Sequence, residues 1–582
     1  MPSYQPQTAP VSQVALPPDV ARLAEELATY LEQPVSQVVV VANPDASDFS
    51  PDLITLAEPL PPGGMLLLPI TTRLPEPAEL AAAELWLEQT VAAMLVLRRG
   101  TGPSYQLSPG LELHSTSTGG LIFSRSPLLV FRLNQQGLAL LHALGPGATA
   151  LELALRCPGF ELPALTTFLD ILSERRLLRR SPGTSGWPRV SVVVPAHGRH
   201  QQTRACIESL LALDYPGELS EIIVVDDASQ PPLATVLADL PVQLVRHEQS
   251  QGPSAARNVG IALARGAVVA FTDNDCLVQP DWLRKLIPYL GDPRIGFVGG
   301  RVVGPPEGGP IMAFEAVRSS LDMGAEPGAV GIGERIPYMP SCNLLVRRSL
   351  LVQLDGFQAT MPIGEDVDLI WRGRVLGAQA QYAPEGVVVH YHRSRLGAFL
   401  RRRAFYARSE VDLLRRHPAS RRLMHLPLTV LLGLAALGLV LTIPGLALAL
   451  LGLAVGLLLA EVRTKRNQLQ PLELALGPLE LAVALLRAHH AALYHLGMNL
   501  LRYYSLPLLA LALLWPTLLL PLLLLCLIPP LRDLRRLRPA LPAWQFVALF
   551  WLELSAYQVG IWLGCLRWRT LWPLLPKLRW IR

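Results

Sequence analysis

The stretch of sequence that decides the fold is Val268-Val-Ala-Phe-Thr-Asp-Asn-Asp-Cys276. Its first four residues are apolar and predict a buried strand that runs directly into Asp273 and Asp275. Ligands of open α/β sheets bind outside the carboxyl ends of the strands. Two carboxylates at such an end can hold a divalent cation, Mg²⁺ or Mn²⁺, together with the phosphates of a substrate. An Asp-x-Asp pair also recurs by chance, so its value as a metal-site prediction depends on the neighbouring segments.

Those neighbouring segments alternate between strand-like and helix-like patterns. Residues 190–195, 221–226 and 242–247 are predicted strands, and residues 254–264 are a predicted helix. Alternation of this kind predicts a parallel sheet with helices packed on it. We therefore expect an α/β domain over residues 188–420.

Other predicted strand and helix ends carry polar side chains. Asp226 and Asp227 follow the second strand, where a carboxylate can accept a hydrogen bond from a base or a sugar, or can simply cap a helix. Arg257 lies in the first turns of the predicted helix, where a guanidinium can reach a diphosphate or form an ordinary ion pair. We expect all three residues at the same edge of the sheet.

Two later segments add acidic and imidazole groups. Glu365 and Asp366 open a predicted helix, which is favourable through the helix dipole alone. Asp366 is also placed to act as a general base toward an acceptor hydroxyl, with Glu365 beside it. The segment Val387-Val-Val-His-Tyr-His392 predicts a strand that ends in His390 and His392. Either imidazole is a structural residue or a metal ligand.

Taken in order, these segments resemble the family 2 glycosyltransferases with the GT-A fold, a Rossmann-like fold that binds nucleotide sugars. The matching stretches are VSVVVPAHGR, EIIVVDDAS, QGPSAARNVG, FTDNDC, PSCNLLVRRSLL, GEDVDLIWR and VVVHYHR. The resemblance implies a nucleotide-sugar donor, a divalent metal and an inverting single displacement. Processive polysaccharide synthases of this family carry a QxxRW motif, whereas residues 400–408 here are LRRRAFYAR. That difference argues against a cellulose-synthase-like polymerase.

The resemblance also implies roles for individual residues. Asp227 would contact the nucleobase, Asp273 the ribose or the metal, and Asp275 the metal. Asp366 would be the catalytic base, with Glu365 as its catalytic neighbour. The other expected donor-binding residues are Pro195, Arg199, Asp226 and Arg257, and His390 would complete the metal ligands.

From residue 424 the chain becomes apolar and basic. It carries 14 Lys and Arg against 5 Asp and Glu from there to the end, while the preceding residues have a net charge of −4. Residues 425–460, 505–531 and 544–566 are apolar runs flanked by Arg-rich segments. This pattern predicts membrane helices over 424–582, with the catalytic domain on the cytoplasmic side of the inner membrane. If every Arg-rich segment faces the cytoplasm, the apolar runs are hairpins or re-entrant pieces.

Charge and cysteine usage restrict the partners and the compartment. The basic excess belongs to the apolar part of the chain, so nucleic-acid binding is not needed to explain it. The six cysteines are scattered and form no CxxC pair, which is typical of a reducing compartment and argues against a zinc ribbon.

Residues 104–180 predict a separate small unit. Strands over 111–114 and 120–124 and helices over 135–144, 150–156 and 162–176 suit a winged-helix-like fold. The unit resembles PqqD-like domains, which bind leader peptides. Such a unit can bind a peptide as an added strand at a sheet edge, or it can be a scaffold without a ligand. Residues 1–100 predict a small α/β module with helices over 19–32 and 79–98.

The order of these parts resembles the mycofactocin-system glycosyltransferases. The C-terminal stretches AHHAALYHLGMNLLRYYSLP and AYQVGIWLGCLRWR also resemble that family. The resemblance implies transfer of glucose from UDP-glucose to the peptide-derived redox cofactor mycofactocin or its precursor. The alternatives are a membrane glycosyltransferase acting on a polyprenyl-phosphate or cell-envelope glycan, and a non-catalytic membrane scaffold that binds a peptide or nucleotide sugar.

Overall fold

The structure is a computed structural model. It describes residues 38–40, 60, 65–69, 75–91, 94–99, 102–125, 127–183, 187–216, 220–305, 308–391, 395–474 and 476–581. The helix predicted over residues 19–32 and the side chain of His392 lie outside these residues.

The first sheet belongs to the N-terminal module. Its strands, in the spatial order β1-β2-β4-β3, are β1 Val38–Val40, β2 Met65–Pro69, β3 Leu85–Val91 and β4 Met94–Arg99. The prediction of one helix over residues 79–98 is wrong. Helix α1 (Pro77–Ala82) ends before Glu84, whose φ of 54° no right-handed helix can continue. The antiparallel pairing of β3 with β4 then outweighs the helix propensity of the segment.

The second unit confirms the three predicted helices and adds strands. Its strands are β5 Ser104–Leu107, β6 Glu112–Thr116, β7 Gly119–Arg125, β8 Leu128–Leu133, β9 Ala148–Thr149 and β10 Leu178–Ser181, and its helices are α2 Gln135–Leu144, α3 Ala150–Arg156 and α4 Leu162–Glu174. Strand β10 is not among the strands predicted for this unit. Its pairing with β5, which is distant in sequence, makes it a strand, and no local pattern encodes that pairing.

The central sheet has the order β13-β12-β11-β14-β18-β16-β19-β15, with β17 on β19. Its strands are β11 Val190–Ala196, β12 Ser220–Asp226, β13 Gln243–Arg246, β14 Val268–Phe271, β15 Cys276–Val278, β16 Ile295–Val303, β17 Gly328–Ala329, β18 Leu344–Arg347 and β19 Gln379–His390. The first four are parallel, as predicted, but β18 is antiparallel to both β14 and β16. Hydrophobic patterns do not encode strand direction, so the prediction of a parallel sheet holds for only part of it.

Helices cover both faces of this sheet. They are α5 His200–Leu211, α6 Ala234–Leu237, α7 Pro253–Leu263, α8 Trp282–Leu286, α9 Pro310–Arg318, α10 Arg348–Gln353 and α11 Glu365–Val375. Every residue of β11 is buried, as expected for a central strand that is covered on both faces. Val192 and Val194 pack with Ile207 on one face, while Val193 packs with Phe271 on the other.

The C-terminal helices follow helix α12 (Leu396–Arg416). They are α13 Leu428–Leu439, α14 Pro444–Leu469, α15 Pro478–Tyr503, α16 Ser505–Leu514, α17 Leu519–Leu537 and α18 Ala543–Trp568, and strands β20 Leu423–Pro427 and β21 Lys577–Ile581 pair beside them. Three segments are long and apolar enough to cross a membrane: Pro444–Leu472, Pro516–Leu537 and Ala543–Trp568. The pair α15 and α16, bent by 94°, counts as a fourth if it is one broken span. These helices indicate a membrane protein.

Helix α18 lies directly on helix α12 of the central domain. Gly560 faces the backbone of Ala404, and Gly564 faces Val411, so any side chain larger than hydrogen at either glycine would collide with α12. The close approach joins the C-terminal helices to the domain that carries the predicted site.

Candidate active site

A cavity of about 1340 Å³ opens at the carboxyl ends of β11, β12 and β14 and extends to α12, α15, α17 and α18. Pockets for one small ligand typically measure about 300–1,000 Å³, so this cavity has room for two. Its walls include nearly all the site residues predicted from the sequence: Pro195, Arg199, Asp227, Arg257, Asp273, Asp275, Glu365, Asp366 and His390.

Asp226 is the exception, because it does not line the cavity. Its carboxylate accepts hydrogen bonds from the backbone N–H groups of Ser229 (2.8 Å) and Leu233 (3.1 Å), and it forms an ion pair with Arg246. The structure places Asp226 outside the cavity wall, and its expected donor-binding role stays a prediction. Asp226 organises the loop that carries Asp227, because it accepts hydrogen bonds from the backbone N–H groups of Ser229 and Leu233.

Asp227 lies at the cavity wall and is held by four donors. Its oxygens accept hydrogen bonds from the backbone N–H groups of Gln251 and Gly252 (2.8 Å each), from the hydroxyl of Ser250 (2.7 Å) and from the ring of His247 (2.7 Å). Burial alone would raise the pKa of this carboxyl, but these hydrogen bonds lower it to about 2. Asp227 therefore presents a fixed negative charge to the cavity.

Arg257 connects the end of β14 to the start of α11. Its guanidinium donates to Asp273 Oδ1 at 2.7 Å and to Glu365 Oε1 at 2.8 Å, and it lies over the ring of Phe357. Burial opposes the charged form of Asp273, but the charge of Arg257 outweighs it and lowers the pKa of that carboxyl. Glu365 is buried beside Asp366, and burial together with the neighbouring charge raises the pKa of Glu365 to about 7.

Asp366 is half-buried and faces the cavity. The backbone N–H groups of Ser341 (3.1 Å) and Val367 (2.8 Å) donate to its two oxygens and fix the orientation of the carboxylate. Burial raises the pKa of Asp366. An oriented carboxylate with a raised pKa at a cavity wall can accept a proton from a bound hydroxyl group.

Asp275, Cys276 and His390 form a buried cluster whose potential ligand atoms all lie within 4.8 Å of one another. His390 Nε2 is 3.5 Å from Asp275 Oδ1, and Arg199 forms an ion pair with Asp275. Burial lowers the pKa of His390 to about 4, so its imidazole is neutral. Burial also raises the pKa of the Cys276 thiol, which disfavours the thiolate that a metal requires. Asp275 and His390 are therefore the stronger candidate ligands of this cluster.

Arg402 and Tyr406, on helix α12, also face the cavity and were not predicted from the sequence. Arg402 Nε donates to the Tyr406 hydroxyl at 2.6 Å, and the charge of Arg402 contributes to the lowered pKa of Asp273. Both lie in the LRRRAFYAR segment. Their i, i+4 spacing was the available signal, because it puts both side chains on one face of a helix.

The opposite end of the cavity is formed by the C-terminal helices and carries paired charges. Arg403 of α12 lies 3.0 Å from both Glu315 and Glu553. Arg318 of α9 forms ion pairs with Asp533 and Glu553. These buried pairs bind α17 and α18 to the central domain and complete the cavity wall.

Residues 191–354 match the family model described as glycosyl transferase family 2. The central domain is a family 2 glycosyltransferase domain. The mixed sheet of this glycosyltransferase domain, with Asp273-Asn-Asp275 directly after β14, is the GT-A fold.

Individual relatives match the glycosyltransferase domain as well. Over 243 residues the chain is 36% identical to the pre-mycofactocin glycosyltransferase of Mycobacterium tuberculosis strain H37Rv, which covers 41% of this chain and 50% of the relative. It is 26% identical over 257 residues to glycosyltransferase AglE of Haloferax volcanii, covering 43% of this chain and 82% of the relative. The chain spans about half the length of the pre-mycofactocin glycosyltransferases that it matches.

Parts of this chain resemble solved structures, at low sequence identity and low TM-score. The mannosyltransferase PcManGT from Pyrobaculum calidifontis, in complex with GDP-Man and Mn²⁺, is 20% identical, with a TM-score of 0.32, and covers 59% of this chain and 87% of that one. The S. aureus protein TarS, residues 1–349 in complex with UDP-GlcNAc, is also 20% identical, with a TM-score of 0.30, and covers 38% and 66%.

Proposed function

We propose that the protein transfers glucose from UDP-glucose, with inversion at the anomeric carbon, to the peptide-derived redox cofactor mycofactocin or its precursor. The observation that carries this proposal is the 36% identity of the glycosyltransferase domain to a pre-mycofactocin glycosyltransferase. The size of the cavity, about 1340 Å³, supports it as well, because a donor and an acceptor must be bound together for direct transfer.

The donor would occupy the end of the cavity at the sheet. Asp227, with its lowered pKa, would accept a hydrogen bond from the nucleobase, and Asp273 would contact the ribose or the metal. Arg199 and Arg257 provide guanidinium groups beside these carboxylates and would bind the diphosphate. Pro195, at the end of β11, would form part of the donor wall.

A divalent cation would be held by Asp273, Asp275 and His390. The donor set suits it: two carboxylates for a hard cation and a neutral imidazole 3.5 Å from one of them. When bound, the cation neutralises charge on the departing diphosphate. Asp275 forms an ion pair with Arg199, and Asp273 forms one with Arg257. These two arginines compensate the negative charge of the carboxylates.

Asp366 would be the base of a single displacement. Its carboxylate takes the proton of the acceptor hydroxyl, and the acceptor oxygen attacks the anomeric carbon from the face opposite the leaving group. The bond from that carbon to the diphosphate oxygen breaks, and UDP departs with the electron pair. Inversion follows, because one displacement exchanges the two faces. Glu365 would hold Arg257 in place beside this reaction.

The 104–180 unit would bind the acceptor or its precursor peptide. In one of its two three-stranded sheets the spatial order is β6-β7-β8, so β6 and β8 are the outer strands. A peptide that adds to one of these edges gains main-chain hydrogen bonds. Tethering in this way would raise the effective concentration of the acceptor near the transferase.

The test uses membranes from cells that express wild type, Asp275→Ala or Asp366→Asn, with labelled UDP-glucose and Mg²⁺ or Mn²⁺. Each sample receives either the peptide-derived acceptor or a lipid extract, and the label is followed by mass. Asp214→Asn is the matched control, because Asp214 is an exposed carboxylate paired with Arg284 outside the cavity. Label on the small acceptor in wild type and control, absent in both variants, supports the proposal.

A second candidate is transfer to a polyprenyl-phosphate or cell-envelope glycan. The observation that favours it is the reach of the cavity to the C-terminal segments, where Leu537, Trp572 and Pro573 line it. Label found only in the lipid fraction would select this candidate. Donor binding without any transfer would instead favour a scaffold role.

A further inference from the structure

We infer that the C-terminal helices enter the bilayer from the side of the catalytic domain and return to that side, so that no described helix crosses the membrane. The partner is therefore a single leaflet of a bilayer. The inference goes beyond the proposed reaction and does not depend on the identity of the acceptor.

The two soluble units define one side of the membrane. Among the described residues between 102 and 416, no helix is long and apolar enough to cross a bilayer. The 104–180 unit also contacts the glycosyltransferase domain directly: Arg176 pairs with Glu334, and Arg294 lies 3.1 Å from Asp170. Both units therefore occupy the same aqueous compartment. Any apolar helix end that contacts either unit lies on that side.

The first apolar hairpin consists of α13 and α14, residues 428–469. It begins beside the glycosyltransferase domain, where Arg422 lies 4.0 Å from Glu410 of α12. It ends at the other unit, where Leu469 packs against Leu121 and Phe123 of β7. Both ends therefore lie on the catalytic side. Helix α13 has 12 residues and is about 18 Å long, which is too short for a hydrocarbon core of about 30 Å.

The apex of the first hairpin is apolar and exposed. Leu441 has 82% of its surface exposed, although it is a leucine between two apolar helices. Exposed apolar side chains in the turn between two apolar helices belong in lipid. The hairpin therefore ends inside the bilayer.

Helix α15 also has both ends on the catalytic side. At its start, Glu480 Oε1 accepts a hydrogen bond from Arg125 of β7 at 2.9 Å. At its end, the Tyr503 hydroxyl donates to Glu410 of α12 at 2.7 Å. A helix of 26 residues whose two ends are held by domains of one compartment lies along the membrane surface.

The second apolar hairpin consists of α16 and α17, residues 505–537. It leaves the end of α15 at a bend of 94° and returns to the glycosyltransferase domain, where Asp533 forms an ion pair with Arg318. Its apex is apolar as well: Leu513, Leu514 and Trp515 are all exposed. Helix α16 has 10 residues, or about 15 Å, and is also too short to cross.

Helix α18 is also long and apolar enough to cross a bilayer, yet both its ends rest on the glycosyltransferase domain. Near its start, Phe546 packs against Phe314 with ring centroids 5.4 Å apart. Near its end, Arg415 lies over the ring of Trp568 at 3.9 Å. Between them, Glu553 pairs with Arg403 at 3.0 Å. The helix therefore lies along α12 for most of its length.

The outward face of α18 carries tryptophans along its whole length. Trp544, Trp551 and Trp562 are exposed there. Tryptophan prefers the headgroup region, so a crossing helix carries it at the two ends. Trp551 lies away from both ends of the helix, which is expected when the whole helix lies at one depth in the interface. Exposed arginines flank it and complement anionic headgroups: Arg535, Arg536, Arg538, Arg567 and Arg569.

Labelling of single cysteines from one face of the membrane at a time tests the inference in the full chain. Cys157 and Cys526, the two native cysteines that are not fully buried, are first replaced by serine. Single cysteines are then introduced at Ala540 and Leu571, on either side of α18, and at Leu441 and Trp515, the two apices. Ala238→Cys, on the exposed surface of the glycosyltransferase domain, marks the catalytic side. Intact spheroplasts and inverted membrane vesicles are treated with a membrane-impermeant maleimide.

We expect Ala540→Cys and Leu571→Cys to react from the same face as Ala238→Cys, at least about tenfold faster than from the other face. Leu441→Cys and Trp515→Cys should react from neither face until detergent is added. Reaction of either apex from the face opposite Ala238→Cys, or of Ala540→Cys and Leu571→Cys from opposite faces, overturns the inference.

A depth measurement is independent of labelling rates. Nitroxides attached at Trp544→Cys, Trp551→Cys and Trp562→Cys, in vesicles that contain anionic lipid, should all report the same depth near the headgroups. A maximum of depth at Trp551→Cys or Trp562→Cys would show a crossing helix. Retained transfer of labelled glucose confirms that each variant is folded, and this readout separates failure of the inference from failure of the proposed reaction.

Discussion

Asp273 at the end of β14 and Glu365 at the start of α11 share one guanidinium, that of Arg257, at 2.7 and 2.8 Å. The two carboxylates come from segments about 90 residues apart in the sequence. Their negative charges repel each other, and the positive charge of the Arg257 guanidinium between them offsets that repulsion. Arg257 therefore connects the predicted donor and metal residues to Glu365, the neighbour of the predicted catalytic base.

Replacement of Arg257 should impair both stability and catalysis. Arg257→Leu leaves the buried Glu365 and the partly exposed Asp273 without their partner, which should cost about 3 kcal/mol of unfolding free energy, the lower end of the usual range for breaking a buried pair. Arg257→Lys keeps the charge but cannot donate to both carboxylates in the same planar geometry, so the KM for the donor should rise. Thermal unfolding and donor kinetics measure these effects. Unchanged kinetics in Arg257→Lys would contradict a diphosphate-binding role.

Asp366→Asn should remove the base without removing donor binding. We expect kcat to fall by about 10²–10⁴, the usual contribution of general base catalysis, with little change in the KM for the donor. Asp214→Asn, on the exposed surface, should leave both constants unchanged. A large increase in the donor KM of Asp366→Asn would show that Asp366 binds the donor instead.

In the pH profile of kcat/KM, the decrease on the acid side should occur near pH 7. Burial and the neighbouring Asp366 raise the pKa of Glu365 to about 7, and burial raises the pKa of Asp366, so the pair takes up a proton as the pH falls below about 7. When this proton resides on Asp366 the base is blocked, so kcat/KM should fall in that range. Glu365→Gln removes one charge of the pair and should move this decrease to lower pH. A decrease that stays in place would assign it to another group.

The free energy of unfolding should depend on the same pair, but it should increase as the pH falls, whereas kcat/KM decreases. The pKa of Glu365 rises from 4.5 to about 7 on folding, so the folded state binds more protons between these values. The stabilisation is complete below about pH 4.5 and is lost as the pH rises toward 7. Chemical denaturation across this range should show that Glu365→Gln has a flatter pH dependence than wild type. Equal slopes in the two proteins would contradict the raised pKa.

Asp226 and Asp227 should respond differently to substitution, although they are adjacent. Asp226→Ala removes the acceptor of two backbone N–H groups and the partner of Arg246, so it should lower the melting temperature. Asp227→Asn should chiefly weaken UDP binding, because Asp227 lies at the cavity wall. Calorimetric titration with UDP and thermal unfolding separate the two effects. If Asp226→Ala weakens UDP binding and Asp227→Asn does not, Asp226 is the donor-binding residue of the two.

Metal binding should depend on Asp275 and His390. Titration of the chelator-treated protein with Mn²⁺, followed by electron paramagnetic resonance, should show a site in wild type that Asp275→Ala abolishes and His390→Gln weakens. Chelation should also suppress transfer. Retention of wild-type Mn²⁺ affinity in Asp275→Ala would move the site elsewhere in the cavity. Asp214→Asn again provides the matched control.

Much of the α/β domain and its site was predictable because the relevant signals are local. The run Val268–Phe271 is apolar and short, and the polar residues that follow it end the strand. The helix starts at Pro253 and Glu365 are encoded by their neighbouring residues in the same way. The rest depended on distant pairings. Strand β10 forms because it pairs with β5. The segment after Glu84 is a hairpin because β3 and β4 pair with each other.

The amino-acid sequence by itself determined that this protein has an α/β domain with carboxylates at its strand ends and an apolar, basic C-terminal part. Hydrophobic periodicity and composition are properties of neighbouring residues, so they are visible without a structure. Only the tertiary structure decided that Asp226 lies outside the cavity wall, that Arg402 and Tyr406 of α12 face the cavity, and that α18 lies on α12. Each of these depends on contacts between segments far apart in the chain, and such contacts leave no mark in the sequence of either segment alone.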